Sequence, residues 1–362
     1  MANRFWVGGT GNWSDSTNHW STSSGGSPSV GNLPTSSDDV FFNTLSNAGD
    51  YTCTINSSSS CKTLNLANPS SGTMTLNGSS SLICSGGLSI TSTIIWGQTG
   101  QLVFNASTGS FNITTNNITI TSSIMNFSGA GGTWTLTSNL KITGTFSFIG
   151  NGATFDAATY DVDIQEYSGT ASGITKYLKL GTGTWTYRGT NFNIQSDVSV
   201  DAGRSTIKYV DISNNNAFFG LSQAATRTFY NIWFDRGGST ASITMFGSHI
   251  YNDIKDTGTE AHSLLFTHGT TTKTSTFNVN GSSGKKITIS SDNTATHNLV
   301  KLYGGAVGCN YLDISHSVAS PSNRWFAGTT STDGQGASVA GSGWTFTDPP
   351  AVITSPFPSF FQ

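Results

Sequence analysis

From about residue 60 onward, short segments follow one another in which apolar and polar residues alternate, each closed by Gly, Asn or Ser. "TLNL", "MTLNG" and "SLICSG" come first, then "LSITS", "TIIWG" and "LVFNA". "ITITS", "IMNFSG" and "WTLTS" follow, and then "LKITG", "TFSFIG" and "ATFDA". A period of two sends alternate side chains to opposite faces of a strand, so each segment has a single face to bury. The segments fall in threes beginning near Leu64, Leu88, Ile118 and Leu140, with roughly 22 to 30 residues to a group, the repeat length of a solenoid. No helical period of useful length interrupts them. Three one-faced strands per repeat are what one coil of a parallel β-helix requires. Alternate residues fill a narrow interior, the others stand in stacked outer rows, and each backbone bonds to the coils above and below at about 4.8 Å. The pattern predicts an all-β fold, a right-handed parallel β-helix solenoid with N- and C-terminal caps. The handedness follows the crossover rule, and roughly a dozen coils give a rod about 60 Å long. A β-sandwich is the alternative; the triplet period and the absence of hairpin signals argue against it.

The second half repeats itself more openly. "FYNIWFDRGGSTASITMFGS" is followed by "HIYNDIKDTGTEAHSLLFTHGT", which sets Tyr230-Asn231 one coil from Tyr251-Asn252. "KYVDIS" (208–213) returns as "NYLDIS" (310–315), and the two read as equivalent strands. An open solenoid end exposes apolar interior and unpaired strand edges, so both ends need covering. The expected divisions are a Trp-rich N-terminal cap with the first strands over 1–60, the β-helix over 61–320, a C-terminal cap over 321–350 and a tail over 351–362. Trp6 and Trp13 are assigned to the first lid, and Trp325 and Trp344 to the second. A helix carrying Trp6, Trp13 and Trp20 on one stripe is excluded by "GGTGN" between them, since glycine at that density opposes a helix. The uncharged tail, with Phe357, Phe360 and Phe361, reads as a docking segment.

Only 10% of the residues are charged, against about 25% in ordinary soluble domains. The 42 glycines and many Ser, Thr and Asn take their place, while 11% aromatic residues supply a core. A net charge of −3 leaves no electrostatic footprint for nucleic acid. No apolar run is long enough for a membrane span and no leader signal opens the chain. Cys53 alternates with Tyr51 and Ile55, and Cys84 with Leu82, so both are expected inside. Cys53 and Cys61 are close enough for a hairpin disulfide. No Cys or His spacing suggests zinc, and no cofactor is expected.

The end segments carry a resemblance. "RFWVGGTGNWSDSTNHWS…PTSSDDVFF" is similar to the start of many phage virion proteins (tail fibres, tailspikes, capsid projections) and of related bacterial surface β-helix proteins with a WVGGTGNW-type cap. "FYNIWF", "YNDIKDTGTEAHSLLFTHGTTT", "YLDIS" and "GWTFTDPP" resemble the matching coils and C-terminal segment. The resemblance covers most of the chain and implies a virion structural protein, often a homotrimer, that assembles with other virion proteins in the host cytoplasm and is displayed on the virion surface. An extracellular-looking composition without a leader agrees with that expectation. A tailspike depolymerase and a bacterial surface adhesin are the alternatives.

A depolymerase would need carboxylates close together on one outer face. Asp211 and Asp313 in "YVDIS" and "YLDIS", Asp161 and Asp163 in "YDVDIQE", and Asp253 and Asp256 are the acids to consider; the plainer reading is that such acids keep the outer rows soluble. Of these, Asp211, Asp313, Asp253 and Asp256 are the catalytic candidates if there is an enzyme. His262 and His268 share a period-two face and are read as core-edge residues, with a transition-metal pair as the alternative; no metal site is assigned. In "FYNIWFD", Tyr230, Ile232 and Phe234 take one face, which leaves Phe229, Asn231, Trp233 and Asp235 outward as glycan or subunit contacts. Trp20, beside Asn18 and His19, is a further sugar-contact candidate. Thr-rich strands such as "ITITS" resemble ice-binding faces, but they do not recur at one place in successive coils.

Overall fold

Register shows the repeat directly. Thr133 is level with Thr154, 21 residues on, and Leu88 with Ile113, 25 residues on. The computed structural model describes residues 2–169, 173–190, 192, 194–210, 216–219, 226–334 and 342–350. They wind into a parallel β-solenoid of about 12 turns. Its first wall is a sheet of ten strands, from Trp20–Ser21 at one edge, next to Asn3–Trp6, up to Val198–Asp201 at the other. The second starts as four strands, Gly11–Asn12 to Ile95–Gln98, and continues as ten, Thr119–Ile120 to Ser317–Ser320. At that join Thr121 Oγ1 donates to the carbonyls of Trp96 and Gln98, at 3.0 and 3.1 Å. The third wall is two six-stranded sheets, Ser59–Cys61 to Glu166–Ser168 and then Asn216–Phe219 to Thr332–Asp333.

Parallel in-register strands place equivalent side chains about 4.8 Å apart, so like residues form columns inside the tube. In the third wall Cys61, Cys84, Phe104 and Phe127 are level in successive coils, and the last two rings stack at 5.0 Å. In the second, Ile164, Tyr187, Tyr209 and Phe234 form another column, with the tyrosine rings 5.5 Å apart. Each such side chain taken fully out of water contributes roughly 1.5–3 kcal/mol, which offsets the ordering of very short strands. The corner between the first and second walls repeats as well. Asp156 Oδ1 accepts from the backbone of Ala158 at 2.8 Å and Asp201 Oδ1 from that of Gly203 at 3.1 Å. Ala158, Gly181 and Gly203 all have φ between 52° and 71°. A Cβ on Gly181 would lie 1.9 Å from the Ala158 carbonyl oxygen, so position 181 admits only glycine.

The ladders reach back to Asn3 and forward to Asp333, so the end segments share them. Among the described strands the one antiparallel pair is Asn3–Trp6 with Trp20–Ser21. There Trp6, Trp13 and Trp20 are all buried and close around Phe42, at 5.5, 6.1 and 5.9 Å between ring centroids. The Trp20 indole N–H donates to the Trp13 carbonyl at 2.7 Å. At the other end Trp325 and Trp344 are buried edge to face, 5.1 Å apart, and Ala327 N–H donates to the carbonyl of Thr345 at 2.8 Å.

Several expectations about phase are corrected. Leu64 and Leu88 are level on the first wall, but Ile118 leads into the second, where Leu140 also lies; the period was right and the starting wall was not. "KYVDIS" and "NYLDIS" are not equivalent, because Thr206–Tyr209 belongs to the second wall and Leu312–Ile314 to the third. Phe229, not Tyr230, stacks with Tyr251, at 5.7 Å, and Asn231 is level with Asp253. No disulfide joins Cys53 to Cys61; all four cysteines are free and buried, and these two lie in different walls.

Candidate functional site

The outer face of the second wall gathers most of the outward chemistry. Lys141, Asp163, Thr186, Lys208, Trp233, Lys255 and Asn278 are level in successive coils. They form a row because each sits between two inward residues of its own strand, as Trp233 does between Ile232 and Phe234; for Lys255 these are Ile254 and Asp256. Lys208 stands one coil before Trp233 and Lys255 one coil after. Their ammonium nitrogens lie 4.1 and 4.3 Å from the ring centroid, so both faces of the indole carry a cation. The indole N–H donates to Thr257 Oγ1 at 2.8 Å. Lys208 Nζ also meets Asp235 Oδ2 at 2.7 Å, and Thr257 donates to Asp235 Oδ1 at 2.9 Å. The Lys208 bond holds the Asp235 carboxyl below its ordinary range.

Beside this row a groove of about 450 Å³ runs along the axis, lined by Asn139, Asp161, Thr184, Asp163, Lys208 and Trp233 among others. Its acids are engaged. Asp161 Oδ1 accepts from Thr184 N–H at 2.7 Å, one coil on. Asp163 takes a two-pronged bond from Arg188, at 2.8 and 3.0 Å, which raises the guanidinium pKa.

The other acids are dispersed. Asp253, in the second wall, accepts from Asn278 Nδ2 at 2.7 Å and from Thr276. Asp313, in the third, accepts from Thr332 Oγ1 at 2.8 Å. Asp256 is not an outer acid. It occupies the inward column between Phe234 and Val279, and its carboxylate bonds His262 Nε2 at 2.8 Å with both side chains almost fully buried. Asp211 lies outside the described residues, as do Phe357, Phe360 and Phe361. His262 and His268 do not share a face: His268 is exposed and bonds Asp292 at 2.9 Å, because the chain turns after Phe266.

Of the contact candidates, Asn231, Trp233 and Asp235 are outward and half-buried. Asn231 ties to Thr206 Oγ1 at 3.2 Å and accepts from Asn252 at 3.0 Å. Phe229 is buried, because alternation breaks where two consecutive residues, Tyr230 and Asn231, both face outward. Trp20 is completely buried and is no sugar contact. Lys208 and Lys255, the partners that define the Trp233 site, were missed. The signal was a coil-length spacing among polar positions, legible only once the register is known.

Among the described residues no three of His, Cys, Asp and Glu are grouped to hold a metal ion, and no helix is long and apolar enough to cross a membrane. Geometry therefore places the chain in one class, the parallel β-solenoids. No family model, curated protein or solved structure matches it.

Proposed function

We propose that the protein is a non-enzymatic structural rod displayed on a phage particle, as a fibre, spike or decoration, with its second wall presented to host surface glycans. One observation carries this reading: five outer acids of the second and third walls serve as ties between coils. Asp161, Asp163, Asp235, Asp253 and Asp313 each accept a bond from a residue in a neighbouring coil. A catalytic carboxylate must be free to exchange a proton or attack carbon, whereas these reinforce the backbone ladder. In the same reading the tryptophan cluster at residues 6–20 is a lid over the first coil, and the rod is a homotrimer held by other virion proteins.

The groove beside Trp233 presents amide, hydroxyl, ammonium and carboxylate groups in axial rows, a set suited to a hydroxyl-rich chain. Stacking on the indole faces would first require displacing Lys208 or Lys255, so contact through the groove and the ring edge is favoured. The test is to incubate the purified protein with host capsule or lipopolysaccharide and measure retention, new reducing ends and unsaturated products together. Retention without cleavage is expected, and Trp233→Ala should weaken it while leaving the melting midpoint within a few degrees. New chain ends would overturn the non-enzymatic reading in favour of a depolymerase. Retention on bacterial cells with no association with phage particles would favour an adhesin.

A further inference from the structure

The third wall begins with Ser59–Cys61, the outermost strand of its sheet, which has one strand neighbour, Leu82–Cys84. Within that pair Cys61 and Cys84 are level, and both point inward. Their sulfurs are 3.6 Å apart, and both residues are fully buried. Above them the same column continues in Phe104 and Phe127, so the two thiols stand where the rest of the wall stacks rings. Adjacent parallel strands lie about 4.8 Å apart, inside the range of about 4.4–6.8 Å that a disulfide spans between Cα atoms. Closing the gap to a bond of about 2.05 Å needs small side-chain rotations and no change of register. The other cysteines lack this geometry: Cys53 is level with Gly11 and Leu76, and Cys309 directs its thiol at the Phe277 carbonyl.

We propose that Cys61 and Cys84 form a disulfide that fastens the end strand of the third wall to the next coil when the protein meets a small-molecule disulfide. The step balances as two exchanges. One thiol loses its proton and attacks the oxidant, releasing one reduced thiol and leaving a mixed disulfide; the second cysteine then attacks that sulfur and releases the other. The cysteines are oxidised by two electrons and the oxidant is reduced by two. Hydrogen bonding with Cys84, and burial, hold the Cys61 thiol well above its ordinary pKa. The reaction therefore waits on fraying of the first coils, and once closed the bond opposes that fraying.

The experiment treats the full-length reduced protein with oxidised glutathione a few degrees below its melting transition. Thiols are then titrated in denaturant and the disulfide-linked peptides mapped. Of the four cysteines, two should remain titratable, one crosslinked peptide should join Cys61 to Cys84, and the midpoint should rise until dithiothreitol is added. The double variant C53S/C309S should lose its two thiols in the same way. Persistence of all four thiols, glutathione adducts without a crosslink, or a crosslink through Cys53 would each overturn the proposal.

Discussion

At the residue scale, Asp256 and His262 depart furthest from what local pattern suggests. Asp256 takes a column position that Phe234 and Val279 fill in the coils on either side. His262 directs one ring nitrogen at Asp256 and the other at the Glu260 carbonyl, both at 2.8 Å. Two acceptors are both satisfied when both ring nitrogens carry protons, so this setting favours the charged imidazole. Burial by itself would depress its pKa, but Asp256 overrides this and holds it above the ordinary value. The pair's contribution is complete below about pH 6.5 and is lost as pH rises through the folded pKa. His249 and His297 behave oppositely. Burial holds them near 4 and 3, so the unfolded chain takes up protons first and stability falls as pH drops below about 6.5. Thermal melts across pH should decline on both sides, with His249→Asn flattening the acid limb and Asp256→Asn removing the alkaline one. Asp256→Ala should cost about 1–3 kcal/mol, since it leaves a buried ring nitrogen without its partner; denaturant titration measures it.

At the element scale, the strands are too short to stand alone, and corners and ends decide where they lie. Gly181→Ala should be among the most damaging single-methyl additions, because the new carbon would meet the Ala158 carbonyl at 1.9 Å; a variant with unchanged melting would refute the corner argument. The end near Trp6, Trp13 and Trp20 rests on ring contacts with Phe42. Trp20→Ala should cost about 3–5 kcal/mol by the usual large-to-small rule, with hydrogen exchange accelerated first in Asn3–Trp6 and Asp39–Phe42. Deleting residues 1–42 removes the strand that covers Thr63–Leu66 and should cause aggregation through the bared edge. A soluble, folded truncation would sink the lid.

At the scale of the whole molecule, backbone ladders and a buried interior dominate, and surface charge contributes little. Among the described residues most ion pairs are exposed or half-exposed, as Arg188–Asp163 and Lys285–Glu260 are, and such pairs are each worth about 0–1 kcal/mol; Lys176–Asp197 and His262–Asp256 are buried. Raising salt from low to molar should therefore move the melting midpoint very little; a large drop would mean that the outer rows carry more stability than the core. Light scattering checks the trimer: a monomer mass at working concentration would count against a self-assembled fibre.

The sequence by itself determined the periodic quantities. A two-residue alternation specifies which side chains of a strand are inward, and Tyr51, Cys53 and Ile55 lie as that rule places them; the group length near 22 to 30 residues specified a coil. Both are local, set by pleat geometry and by the number of residues needed to go once round a tube. Only the tertiary structure decided phase and pairing. It alone placed "KYVDIS" and "NYLDIS" on different walls, turned Phe229 and Asp256 inward, set Lys208 and Lys255 on the faces of Trp233, and brought Cys84 rather than Cys53 to Cys61. Those outcomes depend on how many residues each corner absorbs. A change of one residue at a corner shifts every later position relative to the coil beneath while leaving the alternation within each strand untouched.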